Sequence, residues 1–166
     1  MSSRFDTDTF GFLITNLSRL IKADLDRRIV DEGIGLTPGE ARTLLHAARA
    51  GEVRQNVLAE RMGLEPMTLS TYLDRLEDRG LVRRMPDPTD RRAKLVCLTP
   101  EADAALEAIR RVTRDVRACA RGDISEEEWE LLNRLLKKAR ANLAGLCEKK
   151  RSQPPKTDSD TEGRPA

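Results

Sequence analysis

Aromatic side chains are scarce in this sequence, at 3% of 166 residues, and it holds one histidine and three cysteines. With so few rings, a core must be built from leucine, alanine and other aliphatic side chains, which favours a mostly helical protein. His46 has no cysteine near it in sequence, and the spacing of His46 to the cysteines matches no metal signature. Cys97, Cys119 and Cys147 are odd in number and far apart, which fits a reducing compartment better than a disulfide scaffold. Every apolar run is short and interrupted by charge, so no membrane span is expected, and the first residues lack the pattern of a secretory signal. There is no glycine-rich phosphate loop, serine elbow or paired helical histidines. The expectation is a cytoplasmic protein that is not an enzyme and needs no metal or cofactor.

Charge is plentiful but nearly balanced, with a formal net of +2. Global charge of that size says little about partners, so the location of the charges has to carry the argument. One stretch stands out. Leu81 to Arg84 and Ala93 to Leu98 have the apolar and β-branched content of two short strands, and Pro86, Asp87 and Pro88 between them favour a turn. On this hairpin five basic residues (Arg83, Arg84, Arg91, Arg92, Lys94) face two acidic ones (Asp87, Asp90), a local excess of +3. A hairpin of this size is marginal alone and has to lean on a neighbour.

Helical periodicity supplies the neighbours. Apolar residues from Phe10 to Leu25 recur at helical spacing and predict a helix from Thr9 to Val30, ended by Gly33 and Gly35. Thr37-Pro38-Gly39-Glu40 combines a capping hydroxyl, a first-turn proline and a glutamate three residues on, opening a helix to Arg49. Gln55 to Met62 and Pro66 to Arg79 predict two more helices around a turn that begins at Gly63, and together with the hairpin they make a winged helix-turn-helix. Thr99-Pro100-Glu101 and the Ser125/Glu128 pair read as starts of two further helices, to Ala120 and to Leu146. The fold class is therefore mainly α with a small β-wing, a winged helix-turn-helix with N- and C-terminal dimerisation helices.

The long terminal helices carry more apolar surface than a small winged lobe can cover, so a homodimer is expected, with a monomeric bundle as the alternative. The organisation read here is one domain over 1–148, with the winged lobe at 37–99 and dimerisation helices at 9–30 and 100–147. Residues 149–166 are polar and proline-containing and read as a disordered tail.

Double-stranded DNA is the partner that this arrangement suits. The N-terminal part of the helix from Pro66 enters a major groove, with Met67, Thr68, Ser70, Thr71 and Arg75 as reading residues: hydroxyls for phosphates or base edges, a thioether for a thymine methyl, a guanidinium for phosphate or guanine. At the wing tip Asp90 pairs with a guanidinium, in the simplest reading that of Arg92, so that Arg91 or Arg92 enters the minor groove already oriented. Arg83, Arg84 and Lys94 neutralise phosphates along the flank, and Arg54 and Gln55 hold the backbone on the other side. The competing reading is a winged-helix protein-interaction module without specific DNA binding.

The run Leu73-Asp-Arg-Leu-Glu-Asp-Arg-Gly-Leu-Val-Arg-Arg84, followed by Asp87-Pro-Thr-Asp-Arg-Arg-Ala-Lys94 and Leu98-Thr99, resembles the MarR family of bacterial transcriptional regulators, and within it the SlyA-like branch. Leu36-Thr37 and Leu58-Ala59 fall where the family has such pairs. The resemblance covers about Phe10 to Leu146. It implies a triangular homodimer whose two winged lobes grip a pseudo-palindromic operator, with recognition by Pro66 to Arg79 and a minor-groove role for Asp90, Arg91 and Arg92. It further implies repression of nearby genes, or activation by displacing other repressors, and release of DNA by a small aromatic or phenolic effector. A peroxide-sensing branch carries a reactive cysteine in the first helix, where this chain has none between Met1 and Val30.

Overall fold

The computed structural model describes residues 9–151, and the side chains of 9–145. Its elements are α1 (Phe10–Asp31), α2 (Pro38–Ala50), β1 (Val53–Arg54), α3 (Gln55–Met62), α4 (Pro66–Asp78), β2 (Val82–Pro86), β3 (Lys94–Leu98), α5 (Ala102–Arg121) and α6 (Glu126–Arg151). Contacts divide the chain into two units, one running to Ala120 and one from Arg121.

In the first unit, α2, α3, α4 and the sheet enclose one aliphatic core. Leu69, Leu73 and Leu76, at helical spacings of four and three, point from α4 into it and are completely buried, as are Leu44 of α2 and Leu58 of α3. α5 closes this core with Leu106, Ile109, Val112 and Val116, and α1 reaches it through Ile29. The rest of α1's apolar residues, from Phe10 to Ile21, lie open. In the second unit, α6 starts at a capping box: the Glu128 N–H donates to Ser125 Oγ at 3.3 Å, and the Ser125 N–H donates to Glu128 Oε2 at 3.1 Å.

The start of α2 follows the expected box as well. Thr37 N–H donates to Glu40 Oε2 at 2.9 Å and Glu40 N–H donates to Thr37 Oγ1 at 3.3 Å. Gly39 sits on this first turn directly beneath the ring of Tyr72 from α4; a Cβ there would lie 2.7 Å from the phenol oxygen. Only glycine lets the two helices come this close.

The exit from α4 is equally constrained. Gly80, at φ 69°, carries the chain out of the helix in a left-handed turn. Its N–H donates to Glu77 O at 2.8 Å and the Leu81 N–H donates to Leu76 O at 2.9 Å, the paired bonds of a Schellman ending. That turn aims β2 back along α4.

Several details depart from the sequence reading. The sheet has three strands, in the order β1-β3-β2, all antiparallel neighbours. β1 has two residues, too few for any periodicity to announce, yet Val53 pairs with Val96 and makes β3 the central strand. β2 runs on through Met85 to Pro86, which pairs with Lys94; a proline is tolerated there because it ends an edge strand. Thr99 does not cap α5 with its hydroxyl, which instead donates to Gly80 O at 2.5 Å and ties the hairpin's two ends together. Residues 152–166, most of the stretch read as a tail, lie outside the described residues.

Candidate nucleic-acid interface

α4 presents opposite faces to core and solvent. With Leu69, Leu73 and Leu76 inward, Met67, Thr68 and Thr71 stand outward, Met67 at 78% exposure, and Ser70 is half-buried at the edge of the helix. Thr71 Oγ1 donates to Met67 O at 3.1 Å, which fixes its rotamer and leaves the oxygen's lone pairs outward. Arg75 is held from below: its Nη1 donates to Glu40 Oε1 at 3.4 Å, while that glutamate, itself buried, also caps α2. The exposed guanidinium therefore starts from a restricted set of positions.

A cleft of about 410 Å³ runs between α4 and the hairpin. It brings together Gln55, Ser70, Arg84, Asp90, Arg92 and Lys94, residues that sequence reasoning proposed from separate segments, and adds Asn56 and Ala93, which it did not. Asn56 stands next to Gln55 at the start of α3, and its polar type at a helix start was the available signal.

The basic residues of the hairpin fall into two groups. Arg84 lies on the face of β2 that meets α4 and is clamped there by two carboxylates. Its Nη2 lies 2.5 Å from Glu77 Oε2 and 2.6 Å from Asp74 Oδ1, and its backbone N–H donates to Glu77 Oε1 at 2.8 Å. The hydrogen bonds from Arg84 hold the Glu77 carboxyl below its ordinary value, and those carboxylates push the Arg84 guanidinium up. The flanking cation expected to neutralise phosphate is thus already matched by protein charge, and it fastens the hairpin to α4. Arg83, Arg91, Arg92 and Lys94 are exposed and, among the described residues, form no side-chain ion pair. They carry the positive field.

The wing loop is held by Asp87, which is buried. Its Oδ1 accepts from the Thr89 hydroxyl and the Thr89 N–H, both at 2.7 Å, and from the Asp90 N–H at 3.3 Å. Its Oδ2 accepts from Arg54 Nε at 2.6 Å, and Arg54 Nη2 donates onward to Thr89 Oγ1 at 2.9 Å. The Thr89 hydroxyl, the Thr89 amide and Arg54 together hold the Asp87 carboxyl far below the usual carboxylate range. Arg54, expected to hold a DNA backbone, is therefore engaged with the wing. Asp90 differs from expectation in a similar way. Its Oδ1 accepts the backbone N–H of Arg92 at 3.0 Å, and its carboxylate makes no ion pair with either neighbouring guanidinium. It shapes the turn and leaves Arg91 and Arg92 unclamped.

The remaining candidates lie elsewhere. His46 is half-buried on α2, its pKa lowered by burial and by the nearby cations Arg49 and Arg42. Among the described residues no group of three or more histidine, cysteine or acidic side chains is placed to hold a metal. Cys97 is buried on β3, and burial pushes its thiol pKa up. Cys119 is exposed, and its Sγ accepts from Arg28 Nη2 at 3.2 Å.

An exposed polar helix beside a cation-bearing wing is the geometry of a winged helix-turn-helix, and comparison with known proteins agrees. The MarR family model matches residues 36–94. The transcriptional regulator PA3341 is 38% identical, with a TM-score of 0.70, over 82% of this chain and 99% of its own. The chain belongs to the MarR family. A probable transcriptional regulator from Pseudomonas aeruginosa is 32% identical, with a TM-score of 0.62, over 80% of this chain and 97% of its own. A MarR-family regulator from Rhodococcus sp. RHA1 is 26% identical, with a TM-score of 0.71, over 82% of this chain and 96% of its own. MarR-family proteins are transcription factors without catalytic activity, and their fold is that of DNA-binding regulators. No helix among the described residues is long and apolar enough to cross a membrane.

Proposed function

We propose that the protein is a cytoplasmic, homodimeric regulator of transcription that binds a pseudo-palindromic double-stranded operator, with α4 in the major groove and the wing in the minor groove. The observation that carries this reading is the shared cleft, where Pro66 and Ser70 of α4 face exposed Arg92 and Lys94, neither of which has a paired carboxylate among the described residues. Met67, Thr68, Ser70, Thr71 and Arg75 read bases or hold phosphates, Arg91 and Arg92 enter the minor groove, and Arg83 and Lys94 lie along the backbone. Gln55 sits on the opposite wall as a further backbone contact. The open apolar residues Phe10, Leu13, Leu17 and Leu20 of α1, and Leu132, Leu135 and Leu143 of α6, support pairing through the terminal helices. The SlyA-like assignment rests on the sequence resemblance over Leu73 to Arg84, Asp87 to Lys94 and Leu98-Thr99.

A small aromatic or phenolic acid as effector finds support in a second cleft of about 410 Å³ between α2 and α5. Leu45 and Ala48 offer an apolar floor for a ring, and Arg49 offers a cation for a carboxylate, beside Arg110 and Arg114, which are paired with Glu107.

The test is selection of genomic fragments by the purified full-length protein at physiological salt, with and without aromatic acids. Enrichment of a palindromic sequence near the protein's own promoter is expected. Recovery no better than from a random pool would leave the winged domain as a protein-interaction module.

A further inference from the structure

Arg54 directly precedes Gln55, a proposed DNA-contacting residue, yet two of its five N–H donors are engaged inside the protein. It leaves β1, the strand directly before α3, and crosses to the wing loop, where Nε meets Asp87 and Nη2 meets Thr89. Asp87 in turn collects the three donors of the loop that follows it, and the loop closes with Asp87 N–H donating to Ala93 O at 3.0 Å and Ala93 N–H donating to Asp90 O at 2.9 Å. Among the described residues, the side-chain bridge from this loop back to the body of the lobe is the Arg54–Asp87–Thr89 contact.

We infer that Arg54 and Asp87 form a strut that sets the angle of the wing loop, and so act as positioning residues for operator binding without themselves touching DNA. The inference rests on the minor-groove reading of the wing given above. Arg91 and Arg92 hang from the turn between Asp90 and Ala93, so a loop free to swing would spread them over many positions, and the ordering cost would fall on DNA binding. Asp87 has an unusual part in this scheme. It places a negative charge on a surface that binds a polyanion, where removing it ought to help binding through charge alone. Because its carboxylate is the node of the loop, removing it instead costs binding. The deeply lowered pKa of that carboxyl, set first by the Thr89 hydroxyl and then by the Thr89 amide and Arg54, agrees with a node that stays ionised at any physiological pH.

The opposite sign of the two effects makes the test sharp. Full-length wild type, Asp87→Asn, Arg54→Gln, the double variant of these two, and Arg92→Ala alone and with Asp87→Asn would be titrated with the duplex that wild type selects from a random-sequence pool, each checked by far-UV circular dichroism. The strut predicts that Asp87→Asn and Arg54→Gln each weaken binding by about tenfold, that the double variant loses no more than either alone, and that Arg92→Ala costs much less once Asp87 is changed. Should Asp87→Asn fail to fold, Arg92→Ala is measured in the Arg54→Gln background instead: the strut predicts a much smaller loss there than in wild type, and an equal loss would overturn it. Tighter binding by Asp87→Asn, or losses that multiply in the double variant, would overturn the strut and return Arg54 to a direct phosphate contact. If Arg92→Ala binds as wild type does, the minor-groove reading falls and takes the strut with it; a loss in Arg92→Ala with a gain in Asp87→Asn removes the strut alone.

Discussion

The recognition helix and the wing stand side by side but are held by different physics. α4 is placed by three leucines with no exposed surface and by a ring pressed onto a glycine, contacts that ignore salt and pH. The wing hangs from two networks of ionised groups, Arg84 with Glu77 and Asp74, and Arg54 with Asp87. A helix that reads bases needs one fixed depth in its groove, which close packing gives. The hairpin joins the core through Leu81, Val82 and Val96, but its loop end has too little apolar area to be fixed that way and relies on directed, charge-assisted bonds instead.

Substitutions should separate the two regimes. The largest effect belongs to Leu73→Ala, which opens a cavity under α4 and should cost about 2–5 kcal/mol of folding stability in urea titration, at low and high salt alike. Gly39→Ala comes next: the added methyl meets the Tyr72 ring, and a loss of about 1–3 kcal/mol with weakened operator binding is expected, partly restored by adding Tyr72→Leu.

The wing's regime should show in acid. Glu77 and Asp87 have folded pKa values below their ordinary 4.5 and 3.8. Their stabilisation is therefore complete above those ordinary values and drains away as the pH falls from there toward the lowered ones. Melting temperature should drop below about pH 4.5, and the drop should be shallower in Glu77→Gln; parallel curves would remove the ionic account of the hairpin. The smallest effect is in salt dependence. Arg92→Ala should reduce the slope of log affinity against log salt by about one, whereas Arg84→Met, whose cation is already matched, should leave that slope unchanged.

How far the sequence could be read follows the same division. α2 and α6 were legible because a capping box is local chemistry, written in four consecutive residues, and α4 because its leucines keep helical spacing over about two turns. The recognition residues followed from that spacing, since naming the buried side of a helix names the open one. The networks of the wing were not legible. Arg84 and Arg83 are adjacent and chemically identical, and only the register of β2 against β3 and its lean on α4 decide which is clamped and which is free. Arg54 and Asp87 are 33 positions apart and meet because β1 joins β3, a pairing of two residues that leaves no pattern. One part of that network was readable: an aspartate with threonine two positions on, as in Asp87-Pro-Thr89, favours the side-chain to backbone bond seen here.

The latch from Thr99 to Gly80 and the central place of β3 have a consequence for a cut chain. Trypsin would find Arg91 and Arg92 exposed in the turn, yet a break there severs a loop whose two arms remain sheet-bonded above and bolted together below. The nicked protein should migrate as one species on a native gel and as two fragments in detergent.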